Sequence, residues 1–133
     1  MIYLRKVNVF SLSDTELLWA LLEERTSEQS ISHKLMPTFG EHVKFIRSCP
    51  YKAWYIIGVD GVDVGATYIT HNNELGIGIL AGYSYRGYGK TAVQEVMKRY
   101  EGPFLANINP NNAASIMFFE NLGFKLLQVT YAK

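Results

Sequence analysis

A glycine-rich turn at residues 86–91, which reads RGYGKT, constrains the fold of this chain more than any other stretch. It follows an apolar run at residues 75–81 and precedes residues 92–100, whose apolar positions have helical spacing. A strand, a glycine turn and a helix in this order leave the first N–H groups of the helix unpaired. The helix dipole and the charges of Arg86 and Lys90 then favour an anion such as a pyrophosphate at the turn.

The composition fits one globular domain covering residues 1–133 and limits its partners. Because the 13 Lys and Arg residues nearly balance the 12 Asp and Glu residues in charge, we expect no nucleic acid as the main partner. Cys49 is the only cysteine, which excludes an intrachain disulfide and a cysteine cluster for zinc, and we expect no metal. No apolar run approaches the ~18 residues of a membrane span, and the N-terminus does not resemble a signal peptide. We therefore expect a cytoplasmic protein.

Hydrophobic spacing and turn residues predict a mixed α/β sandwich with the order β-α-α-β-β-β-α-β-α-β. The predicted strands are residues 2–9, 53–59, 62–70, 74–81, 104–108 and 124–131. The predicted helices begin at Ser13 or Asp14, at Pro37, at Gly89 or Lys90, and near Asn112. Turns are predicted at Asp60-Gly61 and Asn72-Asn73, where the residue types favour a reversal of the chain. On the second helix, Val43, Phe45 and Ile46 are expected to face inward.

A second motif at residues 112–124, NAASIMFFENLGF, follows the glycine turn by about twenty residues. Together with Arg86-x-x-Gly89, it closely resembles the signature of the Gcn5-related N-acetyltransferases. The resemblance extends over most of the chain and is clearest from Glu74 onward. The positions that fit the later motif are Asn112, Ser115, Phe119, Gly123 and Phe124. The resemblance implies an acyl-CoA N-acyltransferase fold with a shortened C-terminal end, because that family ordinarily ends in a two-stranded hairpin.

The resemblance also implies acetyl-CoA as a co-substrate and assigns residues to it. The pyrophosphate loop comprises Arg86, Gly87, Tyr88, Gly89, Lys90 and Thr91. The later helix, with Asn112, Ser115 and Phe119, would pack beside the pantetheine arm. Main-chain groups near Ile79, Leu80 and Ala81 would hold the thioester, and an N–H group there would stabilise the oxyanion.

Glu74 is the candidate general base, because it begins the strand before the loop. Family members such as the histone acetyltransferases carry a glutamate one residue farther from their arginine loop. Glu74 would act through a water molecule or after partial burial; the alternative is a solvated carboxylate beside the Asn72-Asn73 turn. Phe119 stands where many family members have a tyrosine that protonates the departing thiolate. Tyr83, Tyr131 or water remain open as the acid, or the acid is dispensable.

The acceptor is expected to be a small-molecule primary amine such as an amino sugar, attacked directly in a ternary complex. This follows from a vague similarity of residues 27–32, His33 and His42 to family members that acetylate amino sugars. For both histidines a surface or hydrogen-bonded structural role is the alternative to acceptor contact. Two other functions stay open: a protein or peptide N-acetyltransferase, and a non-catalytic acyl-CoA-binding domain. Phe119 and the short C-terminal end favour the latter; Glu74 and the intact loop disfavour it.

The last predicted strand, residues 124–131, is apolar enough to pair with another strand. Because exposed sheet edges are usually covered or charged, we expect a homodimer. In it, the C-terminal region of one chain would help to cover the sheet or acceptor cleft of the other.

Overall fold

The computed structural model describes residues 1–25 and 36–133, so residues 27–32 and His33 lie outside the described residues. The strands are β1 (Ile2–Lys6), β2 (Ala53–Val59), β3 (Val62–Ile69) and β4 (Leu75–Ile79). The α-helices are α1 (Leu12–Glu23), α2 (Phe39–Arg47), α3 (Tyr88–Arg99) and α4 (Ala113–Asn121), and a 3-10 turn (Ala81–Tyr83) follows β4. No helix in these two ranges combines the length and apolarity needed to cross a bilayer.

The four strands form one antiparallel sheet in the order β1-β2-β3-β4. The predicted Asp60-Gly61 turn joins β2 to β3 with φ angles of 51° and 84°, which suit a tight hairpin. The turn between β3 and β4 sets a register that pairs Tyr68 with Gly76. A Cβ atom at Gly76 would lie 2.0 Å from the Tyr68 ring, so only glycine fits beneath that ring.

Helices cover both faces of the sheet. On the α1–α2 face, Ile56 and Ala66 pack with Leu18 of α1 and Ile46 of α2. On the α3–α4 face, a second cluster of buried side chains joins the strands to both helices. This cluster comprises Ala53, Tyr55, Ile69, Leu75, Val93, Val96 and Phe119. The result is a three-layer α/β/α sandwich, which confirms the predicted fold class.

The first helix begins earlier than predicted. Ser11 is its N-cap and accepts a hydrogen bond from Asp14 N at 3.2 Å, so neither Ser13 nor Asp14 caps it. Asp14 is instead buried and accepts two hydrogen bonds from Arg5, at 2.8 and 2.9 Å. Burial raises the pKa of Asp14, but hydrogen bonds from Arg5 and from the main chain of Asn8 outweigh it, so the pKa is lowered. Asp14 thus ties α1 to β1 as an ionised carboxylate.

The second helix has a different buried face from the predicted one. Thr38 and Glu41 form a capping box at its start, one residue after Pro37. Ile46 is buried as expected, whereas Phe45 is on the exposed side, so that prediction is wrong. His42 is buried instead, with Nε2 at 3.1 Å from Thr15 O. This contact makes His42 a structural histidine between α1 and α2.

Residues 104–108 do not form the predicted strand. Their only ladder contact within the described residues is one parallel bridge between Leu105 and Glu74. Phe104, Ala106 and Ile108 nevertheless pack on the core, which explains the alternating pattern. Alternation reports which side chains are buried, and it does not require a ladder of main-chain hydrogen bonds.

Residues 124–131 also form no strand. Four apolar side chains in this segment are exposed: Leu126, Leu127, Val129 and Tyr131. The preference of such residues for strands depends on a neighbour to pair with. No strand pairs with this segment in the part of the chain that the structure describes, so the apolar sequence alone was a misleading signal.

Candidate functional site

The outer edge of β4 is paired only at its beginning. Leu75 N donates to Leu105 O at 2.7 Å, and Leu105 N donates to Asn73 O at 2.9 Å. Beyond this bridge, β4 and residues 104–108 share no further ladder contact. The chain that accompanies β4 therefore leaves it after one residue pair.

Beyond the bridge, β4 presents main-chain groups to an open edge. Leu80 N donates to Val64 O at 2.9 Å, so Leu80 faces β3. Because consecutive residues of a strand turn their N–H and C=O groups to opposite sides, Ile77 and Ile79 face away from β3. Neither has a main-chain partner on that side among the described residues. We call Ile77 and Ile79 the open stretch of β4.

The first turn of α3 has N–H groups without acceptors and lies against the open stretch. Gly87 is the N-cap with φ of 82°, and no side chain caps the helix. The first intrahelical bond runs from Thr91 N to Gly87 O at 3.2 Å, which leaves the N–H groups of Tyr88, Gly89 and Lys90 pointing outward. A Cβ atom at Gly89 would lie 3.5 Å from Cγ1 of Ile77. The anion-attracting end of α3 and the open stretch are thus direct neighbours.

The charged side chains of the loop lie at the surface. Arg86 extends over the Tyr83 ring, 5.6 Å from its centroid, and donates to Gly82 O at 3.2 Å. Lys90 is exposed, and no acidic residue occupies the first turn of α3. The hydroxyl of Thr91 donates to Gly87 O at 3.1 Å. The loop therefore offers two cations and several main-chain donors to an anion, with Arg86 restrained by weak contacts.

The three groups predicted to hold a thioester have different surroundings. Ile79 belongs to the open stretch. The N–H of Leu80 is already bonded to Val64 O. The N–H of Ala81 donates to Oε1 of Glu24 at 2.9 Å. Ile79 is thus the member of this set whose N–H is available, and Ile77 is a further available donor beside it.

Glu74 lies just before β4, at the end of the sheet away from the loop. Its carboxylate accepts a hydrogen bond from Thr70 Oγ1 at 3.0 Å and another from Asn107 Nδ2. With about 3.3 Å of rise per residue, the Cα atom of Glu74 is roughly 10 Å from that of Ile77. Glu74 is half-buried, and these two contacts hold its carboxylate in place.

The residues predicted on α4 have mainly structural contacts. Asn112 is the N-cap, and its Oδ1 accepts from Ser115 N at 3.1 Å, so the predicted helix start is confirmed. Phe119 is only 4% exposed and packs edge-on against Phe118 and Phe124. Phe118, half-buried and 3.4 Å from a Cβ position on Gly89, is nearer to the start of α3.

Sequence reasoning missed an aromatic cluster on the α1–α2 face beside Glu74. Tyr51 and Tyr68 stack with ring centroids 3.9 Å apart, and Trp54 packs edge-on against Tyr51. The pKa of Tyr68 is raised, chiefly by burial. The charge of Arg25 lowers this pKa and the carboxylate of Glu74 raises it, because both charged groups are near the ring. A hairpin that turns at Asn72-Asn73 pairs Tyr68 with Gly76. This pairing was the sequence signal that could have revealed the aromatic cluster.

Two further residues gave no usable sequence signal. Glu24 reaches Ala81 across 57 positions of the chain, and Asn107 reaches Glu74 across 33. Both contacts depend on the fold. Within the two described ranges, no group of three His, Cys, Asp or Glu side chains could hold a metal ion.

Comparison with solved structures identifies the fold. An α-N-acetyltransferase of ribosomal protein L7/L12 in complex with coenzyme A superposes with a TM-score of 0.77 at 16% identity, covering 96% of this chain and 81% of the other. The Salmonella typhimurium protein yncA with its cofactor acetyl-CoA gives a TM-score of 0.68 at 15% identity, covering 93% and 79%. A chimera of the Vibrio cholerae spermidine N-acetyltransferase gives 0.73 at 11% identity, covering 90% and 78%.

The chain thus has the fold of the Gcn5-related N-acetyltransferases, as its sequence predicted. At these identities the similarity establishes the fold alone. No protein-family model and no curated protein matches the chain.

Proposed function

We propose that this protein is an acetyl-CoA-dependent N-acetyltransferase that acts on a primary amine. The observation that carries the proposal is the uncapped N-terminus of α3 packed against the open stretch of β4. Main-chain donors and the cations Arg86 and Lys90 suit a pyrophosphate. The open stretch suits an extended arm that carries amide groups, because it offers unpaired donors and acceptors along a strand. Structural neighbours that contain coenzyme A or acetyl-CoA support this assignment.

The proposed reaction is direct transfer within a ternary complex. The lone pair of a neutral amine attacks the thioester carbonyl carbon, a C–N bond forms, and the C–S bond breaks as the thiolate leaves. In this scheme one of the two free N–H groups of the open stretch, that of Ile77 or that of Ile79, donates to the oxygen that becomes negative in the tetrahedral intermediate, since the two groups are about 6.6 Å apart and cannot share one oxygen. A nucleophilic side chain is not required, since the enzyme forms no covalent intermediate in this scheme.

Glu74 is proposed to accept the proton that the amine loses, through at least one water molecule. Its contacts with Thr70 and Asn107 hold the carboxylate just before the beginning of β4. Phe119 has no proton to give, so water or Tyr83, which lies beneath Arg86, is left to protonate the thiolate. Tyr131, the other tyrosine considered as the acid, is on the C-terminal segment and is 92% exposed.

We propose a small-molecule acceptor such as an amino sugar, with a peptide N-terminus as the alternative. Solved neighbours include a spermidine N-acetyltransferase and an acetyltransferase of a ribosomal protein, so both classes occur on this fold. A non-catalytic acyl-CoA-binding domain is the second candidate function. The burial of Phe119 in the core favours it, because the side chain at this position offers no acid to the cleft.

Single-turnover loss of the acetyl-CoA thioester tests the proposal. Excess protein is mixed with acetyl-CoA and, in separate reactions, glucosamine, spermidine and a tripeptide beginning with alanine. Amine-dependent release of coenzyme A and an acetylated product are expected with at least one amine. Binding of acetyl-CoA without transfer to any amine would favour the non-catalytic alternative.

A further inference from the structure

Glu24 bonds to a main-chain donor beside the open stretch. It is the C-cap residue of α1, and its Oε1 accepts a hydrogen bond from Ala81 N at 2.9 Å. Ala81 begins the 3-10 turn (Ala81–Tyr83) that connects β4 to the Arg86 loop. A carboxylate from the α1–α2 layer therefore reaches the edge of the sheet next to the proposed cofactor cleft.

The donor that Glu24 occupies belongs to the same row as the open stretch. Leu80 faces β3 and has an extended backbone, with φ of −57° and ψ of 140°, so the N–H of Ala81 points to the opposite side. The donors along that side are, in order, those of Leu75, Ile77, Ile79 and Ala81. The first is bonded to Leu105 and the last to Glu24. Glu24 thus closes the loop-side end of the open stretch.

An acyl-CoA arm that extends along the edge of β4 from a pyrophosphate at the Arg86 loop reaches Ala81 before Ile79, because Ala81 is on the loop side of Ile79. An amide carbonyl of the arm and the carboxylate of Glu24 cannot both accept from the single N–H of Ala81. The negative charge of Glu24 also disfavours an anionic ligand nearby.

We propose that Glu24 is an internal competitor for the acyl-CoA arm and, once displaced, a binding group for the amine. This inference rests on the proposed function. In the ligand-free protein the carboxylate bonds to Ala81. When the arm takes that N–H, the carboxylate is released at the cleft edge, where a cationic acceptor approaches the thioester. Cofactor binding therefore creates part of the amine site.

Calorimetric titration with coenzyme A tests the competition without requiring turnover. Glu24→Ala removes the competitor, so the Kd for coenzyme A should fall by about 2- to 10-fold, the range of one net hydrogen bond. Glu23→Ala is the matched control, because it removes the same charge one position earlier on α1, and it should leave the Kd within about 2-fold. A structural defect would weaken binding, which is the opposite sign.

The outcomes separate the two proposals. If neither the wild type nor Glu24→Ala binds coenzyme A, the proposed function fails. If both bind it with the same Kd, the role of Glu24 as a competitor is refuted while the proposed function stands.

A second titration uses spermidine as a cationic probe and tests amine binding. The wild type saturated with coenzyme A should bind spermidine more tightly than the ligand-free protein does. This gain should shrink by about 3-fold or more in Glu24→Gln and persist in Glu23→Gln. No gain in the wild type, or an equal gain in Glu24→Gln, would contradict the amine-binding role.

Discussion

At the scale of single residues, Phe119 shows that a motif predicts a position along a helix and leaves the surroundings of the side chain open. The spacing from Asn112 to Gly123 predicts that Phe119 takes the position where many Gcn5-related N-acetyltransferases have a tyrosine that protonates the departing thiolate. In the structure, its ring packs between Phe118 and Phe124 in the core. A motif reports sequence position along a helix, whereas the direction of one ring depends on how the helix is rotated against the sheet.

Phe119→Tyr is expected to destabilise the fold by about 1–3 kcal/mol, because the added hydroxyl would be buried without a partner. Affinity for acetyl-CoA should stay nearly unchanged. Denaturant unfolding measures the stability, and Phe10→Tyr, at a side chain 77% exposed, is the control expected within about 0.5 kcal/mol of wild type. Unchanged stability together with faster turnover would place the new hydroxyl in the cleft and show that the wild type lacked an acid.

Glu74→Gln should lower turnover at neutral pH by about 10²–10⁴-fold if the carboxylate accepts the proton of the amine. Much of this loss should be recovered at high pH, where the amine deprotonates unaided. Glu101→Gln is the matched control, since it makes the same substitution at an exposed glutamate. Equal pH–rate profiles for Glu74→Gln and wild type would remove Glu74 from the mechanism.

At the scale of elements, the sequence predicted most reliably what local chemistry determines. The glycine turn before α3, the Asp60-Gly61 hairpin and the end of α4 at Gly123 depend on positive φ angles, which these residue types favour. The apolar face of α3 follows from helical spacing, and Ala92, Val93 and Val96 are fully buried. Of these elements, the glycine turn and α3 build the anion-attracting part of the candidate site.

The remaining elements depend on partners distant in sequence. Residues 104–108 pack into the core without pairing along β4, and that divergence creates the open stretch. Periodicity cannot distinguish a paired strand from an extended segment that buries the same side chains. The contacts of Glu24 and Asn107 likewise require the assembled fold.

The α1–α2 pair should lose stability in mild acid because of His42. Burial lowers the pKa of His42, and the contact with Thr15 O only partly offsets this. As pH falls below about 6.5, the unfolded chain therefore binds a proton at His42 that the folded chain does not. The contribution of His42 to the free energy of unfolding is fully present above that pH and declines below it. Melting temperatures of wild type and His42→Gln between pH 5 and 8 should converge as pH falls. Parallel curves would show that His42 does not contribute to the pH dependence.

At the scale of the whole molecule, the fold brings two surfaces together at one edge of the sheet. The α3–α4 layer supplies the anion-attracting helix end, and the α1–α2 layer supplies Glu24 and the aromatic cluster around Tyr68. The edge of β4 lies between them because its companion segment leaves after Leu105. A cofactor and an acceptor could thus approach the same main-chain groups from different layers.

A homodimer is the expected state in solution, because the C-terminal segment exposes apolar side chains. Leu126 is 85% and Val129 65% exposed. We propose that this segment packs on the sheet or acceptor cleft of a second copy, with more than ~1,000 Å² buried in total. Light scattering should give a dimer mass, and a double Leu126→Asp, Val129→Asp variant should be monomeric. Leu12→Asp, at another exposed leucine, is the control. A wild type that stays monomeric at high concentration would refute the dimer.

The thermal shift caused by acetyl-CoA tests most directly whether the cofactor lies at α3 and the open stretch. At 100 times Kd, a ligand that binds only the folded state adds ~2.7 kcal/mol, or about 8–12 °C for a chain of this size. The double variant Arg86→Ala with Gly89→Val removes one cation and places a branched side chain against Phe118 and Ile77. The variant should remain folded, but acetyl-CoA should cause no thermal shift in it. Lys98→Ala, at the far end of α3, should keep the full shift. An undiminished shift in the double variant would place the cofactor elsewhere and contradict the account.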